Sequence, residues 1–274
     1  GMRAVISRGL AMDGENGKQR RLDEAFEEIE RWKNNDRLSF MLAPHAIYTC
    51  DTDYLMEIIS LAKSNNLGIN IHLSESRFEV SEAMKNYGKT PTGYLDSIGL
   101  FDVKTLAAHC VHMTDDDIDI LARKGVSVAA NPKSNLKLGN GTAPIAKLLD
   151  KGVNICMGTD SAASNNSLNL FSDMNYTALL HKGANEDAAC VSAYDVLKFA
   201  TVNGASALGI NSGKIQVGAN ADIILLDLDV PQFCPRGNLI SALSYSANGS
   251  EVDTVIINGK TVMRKKELLT VDEE

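Results

Sequence analysis

Histidines and acids recur in this sequence just after short apolar stretches. The stretch INIHLSES ends its apolar part at His72 and places Glu75 three residues later. One such pair alone is better explained by a hydrogen-bonded histidine of a capped core strand than by a metal ligand beside an acid. Other apolar stretches, however, are followed in the same way by polar side chains capable of chemistry: His45, His109, His112, Asn131, Lys133 and Asp160. Imidazoles and a carboxylate around an open coordination position suit a catalytic zinc or iron ion that activates water.

The residues that precede these side chains have the pattern of β-strands, and amphipathic segments lie between them. Six strands are predicted: Ala4–Ser7, Phe40–Ala43, Gly68–His72, Thr105–His109, Val126–Ala130 and Val153–Met157. Helices are predicted in LDEAFEEIERWKNN, DTDYLMEIISLAKSNN and TDDDIDILARKG. The last segment has Thr114 as its N-cap and ends at Gly125. Six such units predict an α/β fold with a largely parallel sheet, either open or closed as a barrel.

The histidines are placed so that this fold would bring them together. In a parallel βα barrel the carboxyl ends of the strands form one rim, where residues distant in sequence converge. Four of the five histidines lie at such ends, and His181, in a predicted helix, is the exception. Core packing accounts for one or two buried histidines but poorly for four at equivalent positions. We therefore predict a functional site on this rim.

Composition and charge restrict the partners and the compartment. The chain has 274 residues, of which 44% are hydrophobic and 23% charged, as in ordinary globular proteins. A net charge of −8 argues against nucleic acids and anionic membranes as partners, and no apolar run is long enough for a membrane span. The five cysteines are scattered without Cys-x-x-Cys spacing, which predicts reduced thiols in a cytoplasmic protein.

The pattern changes after about Gly209. GKIQVGANADIILLDLD and EVDTVIINGKTVM read as strands, and Asn258-Gly259 in the second is a hairpin-turn sequence. We predict two domains: residues 1–209 with the βα units, and residues 210–274 as a small β-rich, sandwich-like portion.

Several longer stretches resemble the amidohydrolase superfamily: HLSES, AAHCVHMTDDDIDILARKGVSVAANPKSNLKLGNG and GTDSAASNNSLNLFSDM. ATVNGASALG, GKIQVGANADIILLD and VDTVIINGKTVM extend the resemblance over essentially the whole chain. The most similar branch is the chlorohydrolase-like one, which includes S-adenosylhomocysteine/5'-methylthioadenosine deaminases. The resemblance implies a partial TIM (β/α) barrel corresponding to barrel strands three to eight. It also implies hydrolytic deamination of an adenine-type nucleoside.

The resemblance assigns catalytic and metal-binding roles to four residues. His72 and Asp160 correspond to metal ligands, and Asp160 also to a proton acceptor. His109 corresponds both to a metal-site residue and to a catalytic one. In the single-metal deaminases the corresponding histidine hydrogen-bonds the attacking water. Glu75 corresponds to the acid that protonates the purine ring nitrogen, a proton-transfer role that a glutamate also has in zinc nucleobase deaminases.

The resemblance also assigns the substrate contacts and the cofactor. His45, Arg8 and Arg21 correspond to residues that contact the substrate. One divalent metal is implied, with zinc preferred and iron as the alternative. The predicted strand end APHAIYT has no lysine that could bridge two metals, which favours a single-metal deaminase.

The chain departs from the family pattern at its start. It contains no His-x-His triplet, and MRAVISRG resembles the third barrel strand rather than the first. We therefore expect an N-terminally truncated chain with impaired metal binding and activity.

Two alternative functions and one prediction about assembly remain open. Guanine deaminase or s-triazine chlorohydrolase chemistry is the alternative within the class, also on a small N-heterocyclic substrate. A non-catalytic fragment that self-associates is the alternative outside it. Open sheet edges, with the apolar side chains of Ala4–Ser7 and Asn154–Met157 expected to be uncovered, predict a homo-oligomer. Its interface should lie near Ala4–Ser7 or Val153–Met157.

Overall fold

The structure, a computed structural model, describes residues 2–14 and 16–272 of an α/β protein with two sheets. Among the described residues, the larger sheet has seven strands: β1 (Ala4–Ile6), β2 (Gly9–Leu10), β3 (Leu38–Pro44), β4 (Gly68–Leu73), β5 (Thr105–His109), β6 (Ser127–Ala130) and β7 (Ile155–Met157). Its order is β1-β3-β4-β5-β6-β7, with β2 also paired to β3. The pairs from β1 to β6 are parallel. A parallel sheet whose order follows the chain is the arrangement of a (β/α) barrel.

Within residues 2–14 and 16–272, twelve α-helices connect and follow these strands. They are α1 (Gly17–Trp32), α2 (Thr52–Ser64), α3 (Arg77–Tyr87), α4 (Pro91–Ser97), α5 (Asp115–Lys124), α6 (Pro132–Lys137), α7 (Ile145–Asp150), α8 (Ala162–Asn165), α9 (Leu170–Asn185), α10 (Ala193–Phe199), α11 (Val202–Leu208) and α12 (Leu239–Tyr245). The predicted ends of α5 are confirmed. Thr114 and Asp117 form a capping box at its start, and Gly125 takes the left-handed conformation after its end.

The alternation along β4 shows how the sheet faces both the core and the site. Ile69, Ile71 and Leu73 are buried, whereas Asn70 and His72 on the opposite face are half-exposed. Successive strand residues point to opposite faces, so one face of β4 packs in the core and the other presents polar side chains.

The smaller sheet is antiparallel and lies near the end of the chain. Its strands are β8 (Ile223–Leu226), β9 (Val252–Ile257), β10 (Lys260–Arg264) and β11 (Glu267–Leu268), in the order β11-β10-β9-β8. Asn258 and Gly259 join β9 to β10 with positive φ angles of 51° and 74°, which confirms the predicted hairpin turn.

The chain divides into two compact units. The described residues of the first are 4–14, 16–130 and 135–155, and those of the second are 2–3, 131–134 and 156–272. The boundary expected between residues 209 and 210 stays a prediction.

All six predicted strands are present, with ends that differ by at most two residues. One expectation about exposure is wrong: Ile155 and Cys156 in β7 are buried rather than open to solvent. None of the five cysteines forms a disulfide. Within the described ranges, no helix has the length and hydropathy needed to cross a membrane.

Candidate active site at the carboxyl ends of the parallel strands

Three imidazole rings lie in a row beside the ends of β3, β4 and β5. The ring centroids of His45 and His72 are 4.9 Å apart, and those of His72 and His109 are 5.3 Å apart. Two further rings continue the row beyond His45. The centroid of Tyr48 lies 5.7 Å from that of His45, and the centroid of Phe78 lies 6.2 Å from that of Tyr48. The first unit thus brings His45, His72 and His109 together.

His72 is held by the carbonyl oxygen of His45. This oxygen accepts both the backbone N–H of His72, at 3.1 Å, and its ring Nδ1–H, at 3.0 Å. Because Nδ1 carries the hydrogen toward a carbonyl, the neutral ring keeps its lone pair on Nε2. Burial lowers the pKa of His72, and the neighbouring His109 and His45 lower it further. The neutral, metal-binding form is therefore favoured.

His109 is held in the same way by a side chain from a later helix. Its Nδ1 lies 2.8 Å from Oδ1 of Asn135 in α6, and the pair is buried. A ring oriented through Nδ1 by a carbonyl or carboxamide oxygen is the usual arrangement of a metal-binding histidine. The Nε2 atom lies 3.7 Å from Oε2 of Glu75.

Glu75 is fixed by a second contact on its other oxygen. The Nδ2 group of Asn140 donates to Oε1 of Glu75 at 2.8 Å. The carboxylate thus has one oxygen toward Asn140 and the other toward the imidazole row. A carboxyl group oriented in this way can deliver a proton to a substrate held near the row.

Several non-glycine residues at the strand ends have left-handed backbone conformations. The φ angles are 49° at Ser74, 73° at His109, 49° at Cys110 and 61° at Asp160. Such conformations are uncommon for side-chain-bearing residues, and they persist where surrounding contacts over-determine them, often at functional sites. The positions agree with the candidate site.

Asp160 lies after β7 in the second unit. Its Oδ2 accepts hydrogen bonds from the hydroxyls of Ser134 and Ser164, each at 2.6 Å, and its Oδ1 accepts the N–H of Ser161 at 2.7 Å. A Cβ at the nearby Gly158 would stand 2.5 Å from Oδ1 of Asn131, so a larger residue there would displace that carboxamide. The predicted role of Asp160 as metal ligand stays a prediction.

The two predicted substrate-contacting arginines are both paired with acids. Arg8 donates to Glu24 at 2.7 Å. Arg21 donates to both oxygens of Asp13 and to the carbonyl of Gly9, and its hydrogen bond lowers the pKa of Asp13 to about 2. Burial is the main cause of the lowered pKa of His45, and the positive charge of Arg21 lowers this pKa further. Electrostatically, therefore, Arg21 is linked to the imidazole row. Their substrate contacts stay a prediction.

Two cavities adjoin the row in the first unit. A small one of about 70 Å³ is lined by Gly9, Ala43, Pro44, His45, Asn70, Ile71 and His72. A larger one of about 330 Å³ has Tyr48 and Phe78 in its wall, together with Met12, Cys50 and Tyr87. Space for a ligand of nucleoside size is thus available at the far end of the row.

The donor set fits a divalent metal in kind. His72 and His109 are imidazole-nitrogen donors oriented through Nδ1, as zinc ligands are. Among residues 2–14 and 16–272, no group of three or more His, Cys, Asp or Glu side chains is arranged to hold a metal. The two imidazoles supply part of the ligand set that a catalytic zinc needs.

Four site residues escaped sequence analysis: Glu79, Ser134, Asn135 and Asn140. Three of them lie in NPKSNLKLGNG, which contains no histidine or acid that would indicate a site. Their partners are many residues away, such as Glu75 for Asn140, so no local pattern points to the contact.

Known proteins provide an independent comparison. The model of the amidohydrolase family matches residues 1–262. A 5-methylthioadenosine/S-adenosylhomocysteine deaminase from Caldanaerobacter subterraneus is 49% identical over 280 residues, covering 100% of this chain and 64% of the relative. A 5'-deoxyadenosine deaminase from Methanocaldococcus jannaschii is 47% identical, covering 100% of this chain and 66% of the relative. The chain thus spans about two thirds of the length of these relatives.

A solved structure is similar over nearly all of the chain. An adenosine deaminase from Xanthomonas campestris with bound zinc has a TM-score of 0.94 and 33% identity, and the match covers 98% of this chain and 63% of that one. The similarity confirms the predicted α/β fold with part of a hydrolase barrel and a smaller β-rich portion. Together with the match of the family model over residues 1–262, it shows that the chain belongs to the amidohydrolase family.

Proposed function

We propose that this chain carries the site of a zinc-dependent aminohydrolase that converts an adenine-type nucleoside to its inosine counterpart and ammonia. The observation that carries the proposal is the pair His72 and His109, each oriented through Nδ1, with the Glu75 carboxylate 3.7 Å from His109. Sequence identity of 47–49% to deaminases of such nucleosides supports the substrate class.

The chain's own residues divide the reaction among them. His72 and His109 would hold the zinc, with Asp160 as a further ligand. When bound, zinc lowers the pKa of water so that hydroxide is available at neutral pH. Glu75 donates a proton to the ring nitrogen next to the amino-bearing carbon while oxygen adds to that carbon. Asp160 accepts one proton of the attacking water and passes it to the amino group, which leaves as ammonia. The second water proton, on the added hydroxyl, returns to Glu75 as the carbonyl forms, so one water is consumed, one ammonia is released and both acids regain their starting state.

The neighbouring groups would bind the substrate. His45, oriented through Nδ1 toward the Thr49 hydroxyl at 3.0 Å, presents Nε2 to the site. Arg21, and with less support Arg8, would bind the end of the substrate away from the base. The cavity beside Tyr48 offers an apolar wall for a 5' substituent.

The activity is tested with the chain alone and with a joined chain. The joined chain carries, before Met2, the part of the Caldanaerobacter relative that precedes the matched region. We expect ammonia release by the joined chain from 5'-methylthioadenosine or S-adenosylhomocysteine, and Glu75→Gln should lower it by a factor of about 10²–10⁴ by removing the general acid. Glu57→Gln, an exposed acid on α2, is the matched control and should leave the rate unchanged.

The same assay separates the alternatives. Release of ammonia from guanine, or chloride from a chlorinated s-triazine, without release from adenine nucleosides would replace the proposed substrate class. Absence of turnover on every substrate by the joined, zinc-containing chain would contradict an enzymatic function.

The chain alone should bind zinc weakly, because it contains no His-x-His triplet and so lacks two of the ligands that the family resemblance implies. Equilibrium dialysis with zinc would measure this. Near-stoichiometric zinc with rapid turnover by the chain alone would contradict the expectation of impairment. We also propose a cytoplasmic location, because five scattered cysteines suit a reducing compartment.

Self-association is proposed from the edge of the larger sheet. Ile6 in the edge strand β1 is exposed, and edge strands present unpaired backbone groups. Sedimentation at tens of micromolar should show a dimer or larger species, which Ile6→Lys should weaken. A monomer in both proteins would contradict it.

A further inference from the structure

The segment between β4 and α3 contains a buried carboxylate that takes no part in the reaction described above. Glu79 is 0% exposed, and it lies in the first turn of α3. Its Oε1 accepts the backbone N–H of Ser74 at 2.9 Å, and its Oε2 accepts the backbone N–H of Glu75 at 2.8 Å. Both oxygens are therefore used to hold the residue that bears the general acid and the residue before it.

This use of a helix-start acid differs from the ordinary one. In a capping box the acid at the third helical position accepts the N–H of the N-cap residue. Asp117 does so in α5, where it accepts the N–H and hydroxyl of the N-cap Thr114. Glu79 occupies the equivalent position in α3, after the N-cap Ser76, but it reaches back past Ser76 to Ser74 and Glu75. The departure from the capping box brings the carboxylate to the catalytic segment.

The segment that Glu79 holds is strained and is tied to the next strand end. Ser74 has a φ of 49°, a conformation that costs free energy for a residue with a side chain. The Ser74 carbonyl accepts the N–H groups of Val111 and His112, at 3.1 Å and 2.9 Å, just after His109. A contact that fixes Ser74 therefore also connects the ends of β4 and β5.

Burying the charged form of Glu79 costs free energy, and a neutral glutamine at the same position would avoid this cost. Burial raises the pKa of Glu79 to about 7, and the two backbone N–H donors oppose that rise. A carboxylate is the side chain that can accept two backbone N–H groups with two equivalent oxygens, whereas a carboxamide offers one acceptor and one donor. The geometry thus requires an acid at this position.

We propose that Glu79 is a positioning residue that sets the location of the Glu75 carboxylate through the backbone of residues 74 and 75. The inference rests on the proposed function of Glu75 as general acid. Glu79 itself contacts no substrate atom in this role. Its loss should leave zinc binding and substrate affinity intact while it misplaces the proton donor.

The first experiment needs no activity and uses the chain as it is. Amide hydrogen exchange and the carboxamide resonances of Asn140 are measured by NMR in the wild-type chain, in Glu79→Gln and in Asp117→Asn. Loss of a buried hydrogen bond should speed exchange at Ser74 or Glu75 by about tenfold or more in Glu79→Gln. The Asn140 carboxamide, which donates to Glu75, should shift in the same variant.

The matched control is Asp117→Asn, which removes the same kind of buried acid from the start of α5. It should speed exchange at Thr114 and leave Ser74, Glu75 and the Asn140 carboxamide unchanged. Unchanged signals in Glu79→Gln, or the same changes in both variants, would overturn the inference. If Glu79→Gln does not fold, Glu79→Asp, which keeps the charge but shortens the reach, gives the same comparison.

The second experiment measures the joined chain with 5'-methylthioadenosine. Glu79→Gln should lower kcat by about tenfold or more, with KM and zinc content changed less than about twofold. Asp117→Asn should leave kcat unchanged. Equal kcat for Glu79→Gln and wild type would overturn the positioning role. Absence of turnover even in the wild-type joined chain would refute the proposed function, whereas the exchange and carboxamide signals would still decide whether Glu79 sets the position of Glu75.

Discussion

His109 and His181 are buried to nearly the same extent, at 1% and 2% exposure, yet their surroundings differ. His109 ends β5 and has its Nδ1 against Asn135, with an acid near its Nε2. His181 lies in α9, where its Nδ1 has no hydrogen-bond partner in the described part of the chain, and burial lowers its pKa to about 4. Burial alone therefore does not distinguish a site histidine from a packed one. The two histidines differ in the partner of Nδ1, which is Asn135 for His109 and absent among the described residues for His181.

The largest expected effect is on zinc binding by the joined chain. His109→Gln should lower the zinc affinity by at least about 100-fold. It removes a proposed zinc ligand itself, rather than a residue that orients a ligand. His181→Gln should leave zinc affinity unchanged. Titration calorimetry with zinc measures both, and equal affinities for the two variants would remove the distinction between the histidines.

A smaller effect on zinc affinity is expected from replacing Asn135, the asparagine that orients the His109 ring. Asn135→Leu should lower zinc affinity by about 10–100-fold, because the ring of His109 loses the acceptor that orients it. Asn185→Ala is the control, since Asn185 donates only to the backbone carbonyl of His181. An Asn135→Leu protein with wild-type zinc affinity would show that the His109 ring is oriented by other contacts.

The smallest effect is on stability against pH, and it belongs to His181. Its folded-state pKa of about 4 lies below the unfolded value near 6.5, so the folded state binds the proton less tightly. The contribution is complete above about pH 6.5 and is lost as the pH falls toward 4. Between pH 7.5 and 5 the free energy of unfolding should fall by roughly 1–2 kcal/mol from this group.

Urea denaturation of the wild type and His181→Phe at both pH values isolates this contribution. Burial also lowers the pKa values of His45, His72 and His112, so these rings change stability in the same direction in both proteins. The fall with pH should be smaller in His181→Phe. Identical falls would show that His181 does not titrate as a buried neutral ring.

Most of the larger sheet could be predicted because its strands are short apolar runs bounded by turn residues and separated by amphipathic helices. The helix ends at Thr114 and Gly125 depend on local capping chemistry, which a sequence shows directly. The strand β2 was missed because it has only two residues and exists through its pairing with Ala43 and Pro44. Burial of Ile155 and Cys156 was missed because exposure depends on packing by distant residues.

The sequence by itself determined which residue types stand at the strand ends, because strand periodicity and parallel order place His45, His72, His109 and Glu75 at one edge. It did not determine how each side chain is oriented. Asn135 and Asn140 lie 26 and 65 residues from His109 and Glu75, and Glu79 departs from the capping pattern that its position predicts. Only the tertiary structure brings these partners together, because a hydrogen bond requires atoms about 3 Å apart with aligned donors, a condition that no spacing along the chain specifies.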